Sequence, residues 1–273
     1  MERANLPTRL AAWRPLRGIV LIAAGLILVG WLINTPEGLL GKADAIGYAV
    51  CHRIDLRSFY LGERQMPLCA RCSGMYLGAA LGLAWLALSS PRRGGLPAKS
   101  TWPFLALFVL IFALDGLNSF LSLFPGAPSI YSPQNWLRLL TGSGMGLVIA
   151  VYLFPAFNQT VWQNWDSCPA LGGLRALGLL AVLALAVDLL LLTQSPLVLY
   201  PAALISAGGV LLILTMTYTV LLLILLRAEN RYNQFSQLLL PLAGGFIIAM
   251  LQIILIDWLR FLITGTWDGF HLG

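Results

Sequence analysis

Long apolar stretches such as "GIVLIAAGLILVGWLI" and "FLALFVLIFALDGLNSFL" recur seven times in this chain, and they constrain its fold more than any other feature. A helix rising about 1.5 Å per residue needs roughly 20 apolar residues to cross a hydrocarbon core about 30 Å thick. The runs fall at approximately 18–34, 69–89, 102–124, 137–156, 174–193, 200–226 and 237–262. They are continuous rather than alternating, and lipid cannot satisfy free backbone groups, so helices are expected and barrel strands are not. Composition agrees: 59% of the residues are hydrophobic, 10% are charged and the mean hydropathy is +0.82. A soluble domain carries roughly a quarter charged residues. The expected fold is therefore an all-α, polytopic transmembrane bundle of about seven helices. The first run, preceded by arginines, reads as a retained helix, because "LINTPEGLLG" offers no small-x-small cleavage site.

Lysine and arginine placement predicts the orientation. With the N-terminus in the cytoplasm, Arg3, Arg9, Arg14, Arg17, Arg92, Arg93, Lys99, Arg175, Arg227 and Arg231 lie inside. Lys42, Arg53, Arg57, Arg64, Arg71, Arg138 and Arg260 lie outside. This predicts a multi-pass protein of the cell (inner) membrane, N-terminus cytoplasmic and C-terminus extracytoplasmic. The same model puts Asp115, Asp188 and Asp257 in the outer halves of their helices, with Arg138, Arg260 and His271 on that side. A carboxylate near mid-bilayer costs on the order of 2.5–3.5 kcal/mol, so each needs a partner or a wet cavity. Simple pairing, Asp257 with Arg260 and Asp115 with Arg138, is the plainest expectation.

The loop between the first two runs, "YAVCHRIDLRSFYLGERQMPLCARCSGMYLG", holds three of the four cysteines and one of the two histidines. Cys69 and Cys72 lie one turn apart at the start of the second helix, where the helix N-terminus and Arg71 favour thiolate. Thiolates suit metal binding: with Cys51 and His52 they form a Cys3His set for zinc or another soft transition metal. Adjacent side chains diverge, so a three-ligand site with an open position is an equal alternative. The Cys-x-x-Cys also suits thiol–disulfide exchange, but a relay needs a second pair, and Cys168 falls on the cytoplasmic side. Plain packing as small hydrophobes is the third reading.

Arg53, Arg57, Arg71 and Arg138, with Asn135 as a neutral donor, form a candidate anion pocket, because arginine forks match phosphate or carboxylate. Beside a metal, such a pocket would suit an anionic or phosphorylated lipid, with Asp115, Arg57 and Arg138 as candidate catalytic groups. Gly74, Gly78 and Gly82, and likewise Gly142 and Gly146, repeat at every fourth residue, a spacing that lets membrane helices approach closely. Trp102, Trp136, Trp162, Trp165, Trp258 and Trp267 read as interface anchors near helix ends. Phosphate-binding loops, nucleophile elbows and HExxH are missing from the sequence. Nucleic acid is not an expected partner, and the lipid bilayer is.

"CHRIDLRSF", "PLCARCSGMYLG", "LDGLN" and "NWLRLLTGSGMG" together resemble the domain of unknown function 2085 family of membrane proteins. The resemblance covers about residues 45–150, through Cys51, His52, Arg57, Pro67, Cys69, Arg71, Cys72 and Tyr76, then Asp115, Asn135, Arg138 and Thr141. Ser73 stands where many relatives carry threonine, which keeps a hydroxyl. The resemblance implies a membrane protein and supplies no reaction. The expected organisation is a cytoplasmic segment and first helix over 1–44, a family-like unit over 45–156, and a three-helix extension over 157–273. The leading expectation is a metal site on the extracytoplasmic face; the alternatives are a thiol oxidoreductase and a transporter lined by Asp115, Asp188 and Asp257.

Overall fold

In the computed structural model, seven helices are long and apolar enough to cross a membrane: Arg17–Asn34, Ala70–Ser89, Lys99–Leu121, Asn135–Val161, Leu174–Leu192, Pro196–Leu225 and Phe235–Thr264. They answer the seven apolar runs, and the chain is an all-α polytopic bundle. The structure describes residues 14–124, 126 and 128–269; Arg3, Arg9 and His271 lie outside the described residues. The α-helices are α1 Arg14–Asn34, α2 Gly38–Val50, α3 Ala70–Ser89, α4 Trp102–Leu121, α5 Asn135–Val161, α6 Leu174–Leu192, α7 Pro196–Leu225 and α8 Leu239–Thr264. Ile22, Leu26 and Ile33 of α1, Leu110, Leu114 and Leu117 of α4, and Leu262 and Ile263 of α8 are exposed. Such a surface is unfavourable in water and natural in hydrocarbon.

The glycine stripes form the centre of the bundle. A Cβ added to Gly74 or Gly78 would land on the carbonyl oxygen of Leu139 or Ser143, and one on Gly142 or Gly146 on that of Arg71 or Met75. Thus α3 and α5 touch backbone to backbone, which hydrocarbon-facing helices achieve through small residues. The two helices run parallel, so their N-terminal turns, carrying Arg71 and Arg138, lie side by side at one end of the bundle, called here the site face.

Three features depart from a simple seven-helix expectation. The segment before Cys51 is not a plain loop: α2 is a buried 13-residue helix with Ala45 and Tyr48 fully enclosed. At about 20 Å it is too short to span. After it come a short hairpin, β1 Tyr60–Leu61 against β2 Arg64–Gln65, turned at Gly62 with φ +63°. The link between α6 and α7 shrinks to Thr193–Ser195, because Gln194 adopts φ +52° and Pro196 starts the next helix with no N–H to satisfy. On the opposite face, β3 Arg93–Gly95 pairs in parallel with β4 Asp166–Pro169. There Trp162 is not an interface anchor: it is 1% exposed, its indole N–H donates to Asn158 and the Arg92 guanidinium covers its ring.

Candidate metal centre and arginine cluster

The thiol cluster forms where one helix stops and another starts. Cys51 closes α2, its N–H bonded to the Gly47 carbonyl at 2.8 Å, and Cys69 is the N-cap of α3. Gly47 makes the meeting possible, since a Cβ there would strike the Pro67 carbonyl oxygen. Cys72 follows one turn into α3. The sulfurs of Cys51, Cys69 and Cys72 lie within 4.8 Å of one another. Cys51 and Cys69 are buried, Cys72 is half-buried, and none is in a disulfide. A tetrahedral zinc site, with Zn–S near 2.3 Å, sets its sulfurs roughly 3.8 Å apart, so the cluster is of the right size.

The surroundings favour thiolate at Cys51 alone, since the hydrogen bond to Cys51 together with burial pushes the Cys69 thiol up to about 12. Backbone N–H groups of Cys69 and Arg53 donate to Cys51 Sγ at 3.3 and 3.5 Å. Hydrogen bonds from Cys69 and Cys72, helped by His52, hold the Cys51 thiol well below its ordinary value despite burial. Arg260 of α8 fixes the backbone: its Nη1 donates to the Tyr48 and Cys51 carbonyls at 2.6 and 2.7 Å, its Nη2 to His52 at 3.3 Å. Its guanidinium also sits 3.9 Å over the Tyr48 ring.

His52 is adjacent but turned. Its Nδ1 accepts the Ile54 N–H at 3.0 Å, and its ring nitrogens are not part of the mutually close set of ligand atoms. Burial lowers its pKa, Cys51 acting in the opposite sense and Arg57, Arg71 and Arg138 reinforcing the fall, so the ring is kept neutral.

Three of the predicted arginines converge on one residue that sequence reasoning did not single out, Ser119 of α4. Arg57 Nη2 donates to its carbonyl at 2.6 Å, while Arg71 Nη2 and Arg138 Nε reach its hydroxyl at 2.9 and 3.4 Å. Asp115, one turn back, is ion-paired with Arg71 and also accepts from Tyr131 at 2.7 Å and Thr141 at 3.3 Å. The expected Asp115–Arg138 partner is thus Arg71 instead, because α3 and α5 run side by side and Arg71 reaches α4 first. Asn135 accepts from Arg138 at 2.8 Å. Arg57, Asp115 and Arg138 are all buried. Burial pushes the Arg57 guanidinium down and neighbouring Arg71 adds to it. For Tyr131, burial and the bond to Asp115 raise the phenol to about 12.

Arg53 stands apart from that cluster. With Arg64 it holds Asp44 of α2, at 3.1 and 2.6 Å, and it also donates to the Trp267 carbonyl. Asp188 accepts from Ser143 at 2.6 Å, and Asp257 is buried in α8. Cys168 is exposed on the opposite face. Ser119, Tyr131, Asp44 and Tyr48 were missed; among them only Asp44, a charge in an apolar segment, carried a sequence signal.

The family model described as "Predicted membrane protein (DUF2085)" matches residues 51–152. An uncharacterized protein of Methanothermobacter thermautotrophicus is 31% identical over 102 residues, 37% of this chain and 82% of its own length. The chain belongs to this family. A second relative, an uncharacterized protein of Methanocaldococcus jannaschii, is 25% identical over 121 residues, 44% of this chain and 72% of its own. No solved structure matches. The matched stretch of this DUF2085 protein contains Cys51, Cys69, Cys72, Arg57, Arg71, Asp115 and Arg138, so thiol and arginine clusters both lie inside it.

Proposed function

We propose that this membrane protein carries a thiolate metal centre, zinc or another soft transition metal, at the extracytoplasmic face of the cell membrane. The observation that carries the reading is the meeting of three sulfurs from two separate segments within 4.8 Å, one of them, Cys51 Sγ, accepting backbone N–H groups. Cys51, Cys69 and Cys72 would be the ligands. The fourth position would fall to His52 Nε2, water or a ligand, and an open position lets the metal polarise an oxygen. The arginine cluster beside it makes an anionic group, such as that of an anionic lipid, the expected ligand on this face.

Metal analysis of purified protein, wild type against a variant with Cys69→Ser and Cys72→Ser, tests the reading. Near-stoichiometric metal in the wild type and its loss in the variant is the expected result; metal-free wild type refutes it. Thiol–disulfide exchange is the rival chemistry. Trapping thiols in intact cells separates the two, because a cluster that cycles yields a mixed oxidised population and a metal-held one does not. A reporter fused after Gly273 checks the orientation.

A further inference from the structure

The charges around Ser119 do not balance. Arg57, Arg71 and Arg138 bring three positive charges to one buried place, and among the described residues the one carboxylate they share is Asp115. Of the other acids near this face, Asp44 is held by Arg53 and Arg64, and Asp55 lies beside Tyr60. A cluster of three thiolates on a divalent metal would carry one negative charge and still leave an excess of cation. The N-termini of α3 and α5 point to the same end and add their own positive potential. Buried like charges of this kind are held together by a compensating anion.

Donors are also left over. Among the described residues Arg57 donates through Nη2 alone, and Arg138 through Nε and Nη1, which leaves Nε and Nη1 of the first and Nη2 of the second without an acceptor there. None of these nitrogens is among the sealed, unbonded side-chain atoms of the described residues. Guanidinium forks with free, reachable N–H groups on separate elements suit a tetrahedral oxyanion, which takes several donors from different directions.

We infer that Arg57, Arg71 and Arg138 form a binding site for a phosphate group at the site face, with the Ser119 hydroxyl and the first turns of α3 and α5 as its floor. The inference rests on the anionic-ligand part of the proposed function and stands without the metal. Arg71 is tied to Asp115 and orients the cluster, so Arg57 and Arg138 are the residues that contact the ligand. The phosphate is either free or the headgroup of a lipid at the bilayer surface.

Full-length protein, purified and reconstituted in nanodiscs, tests this. Calorimetry with inorganic phosphate and pyrophosphate forms one arm. The other is native mass spectrometry of bound lipid in discs where phosphatidic acid replaces part of the phosphatidylcholine. Wild type is expected to bind in at least one arm, more weakly at high salt. Arg57→Gln and Arg138→Gln should each weaken binding at least about tenfold, and Arg57→Lys and Arg138→Lys by less, since charge remains and the fork is lost. Binding in the first arm assigns free phosphate; binding in the second alone assigns a lipid headgroup. No binding in either arm, or binding unchanged in both glutamine variants, overturns the inference. Should the glutamine variants fail to fold, the lysine variants decide: wild-type affinity in both overturns it. The metal-free Cys69→Ser, Cys72→Ser variant keeps the two ideas apart, because phosphate binding that disappears there would assign the anion to the metal and overturn the arginine site.

Discussion

Arg260 Nη1 donates to the carbonyl oxygen of Cys51 at 2.7 Å, tying the last membrane helix to the first cysteine of the cluster across 209 positions. The same guanidinium nitrogen takes the Tyr48 carbonyl, so one side chain satisfies the open C-terminal end of α2. Replacing it with leucine leaves those carbonyls buried and unpaired, at roughly 1–3 kcal/mol for each. The variant Arg260→Leu should melt at lower temperature in detergent and bind less metal at the proposed thiolate centre. Metal content equal to wild type would show that Cys51 is positioned without it.

Gly47 and Gly178 offer a paired test of close approach. Both are helical glycines, and alanine in a helix interior gains up to about 1 kcal/mol by propensity. A Cβ on Gly47 would strike the Pro67 carbonyl, whereas one on Gly178 meets nothing within 4 Å. Gly178→Ala should leave the melting temperature unchanged or raised. Gly47→Ala should lower it, by the roughly 1–3 kcal/mol typical of overpacking, and separate Cys51 from Cys69. Thermal unfolding with a parallel metal assay reads both.

Breaking the Asp115–Arg71 pair removes the one carboxylate that, among the described residues, joins this group of three guanidiniums. Asp115→Asn should destabilise by about 3–5 kcal/mol, the cost of leaving a buried charge without its partner. The double variant with Arg71→Gln should cost less than the two single changes added together. A thermodynamic cycle over the four proteins measures the coupling, and strict additivity would mean that the pair contributes nothing.

Alkaline pH should weaken the hold of Tyr131 on Asp115. The phenol is raised to about 12 in the folded chain, against an ordinary value of 10.0. The unfolded chain therefore loses its proton first. The stabilisation is complete below pH 10 and declines as pH rises from 10 through 12. The difference in melting temperature between wild type and Tyr131→Phe should shrink across that window. A constant difference would contradict the assignment.

Much of this protein follows from periodicity and composition. The seven spans follow from run length, because hydrocarbon admits few other structures, and Gly74, Gly78, Gly142 and Gly146 announce close helix contacts through spacing alone. Clustering of Cys51, Cys69 and Cys72 near one another in sequence already pointed to a shared site. What spacing left undefined was direction: whether His52 would face the sulfurs, and which carboxylate each arginine would take. Those depend on how helix ends are rotated and on the left-handed turn at Arg53, φ +50°, none of which leaves a periodic trace.

The sequence by itself determined the membrane fold, the end of the bundle at which polar chemistry collects, and the residue types available there. Burial in lipid and the helical repeat are local rules, and a linear pattern carries them in full. Tertiary structure alone decided that α2 is a buried helix, that Arg71 rather than Arg138 takes Asp115, that Ser119 is the meeting point of three arginines, and that Arg260 braces Cys51 from the far end of the chain. Each of these is a contact between segments brought together by backbone packing of α3 on α5 and of α8 on α2, where a difference of an ångström selects the partner.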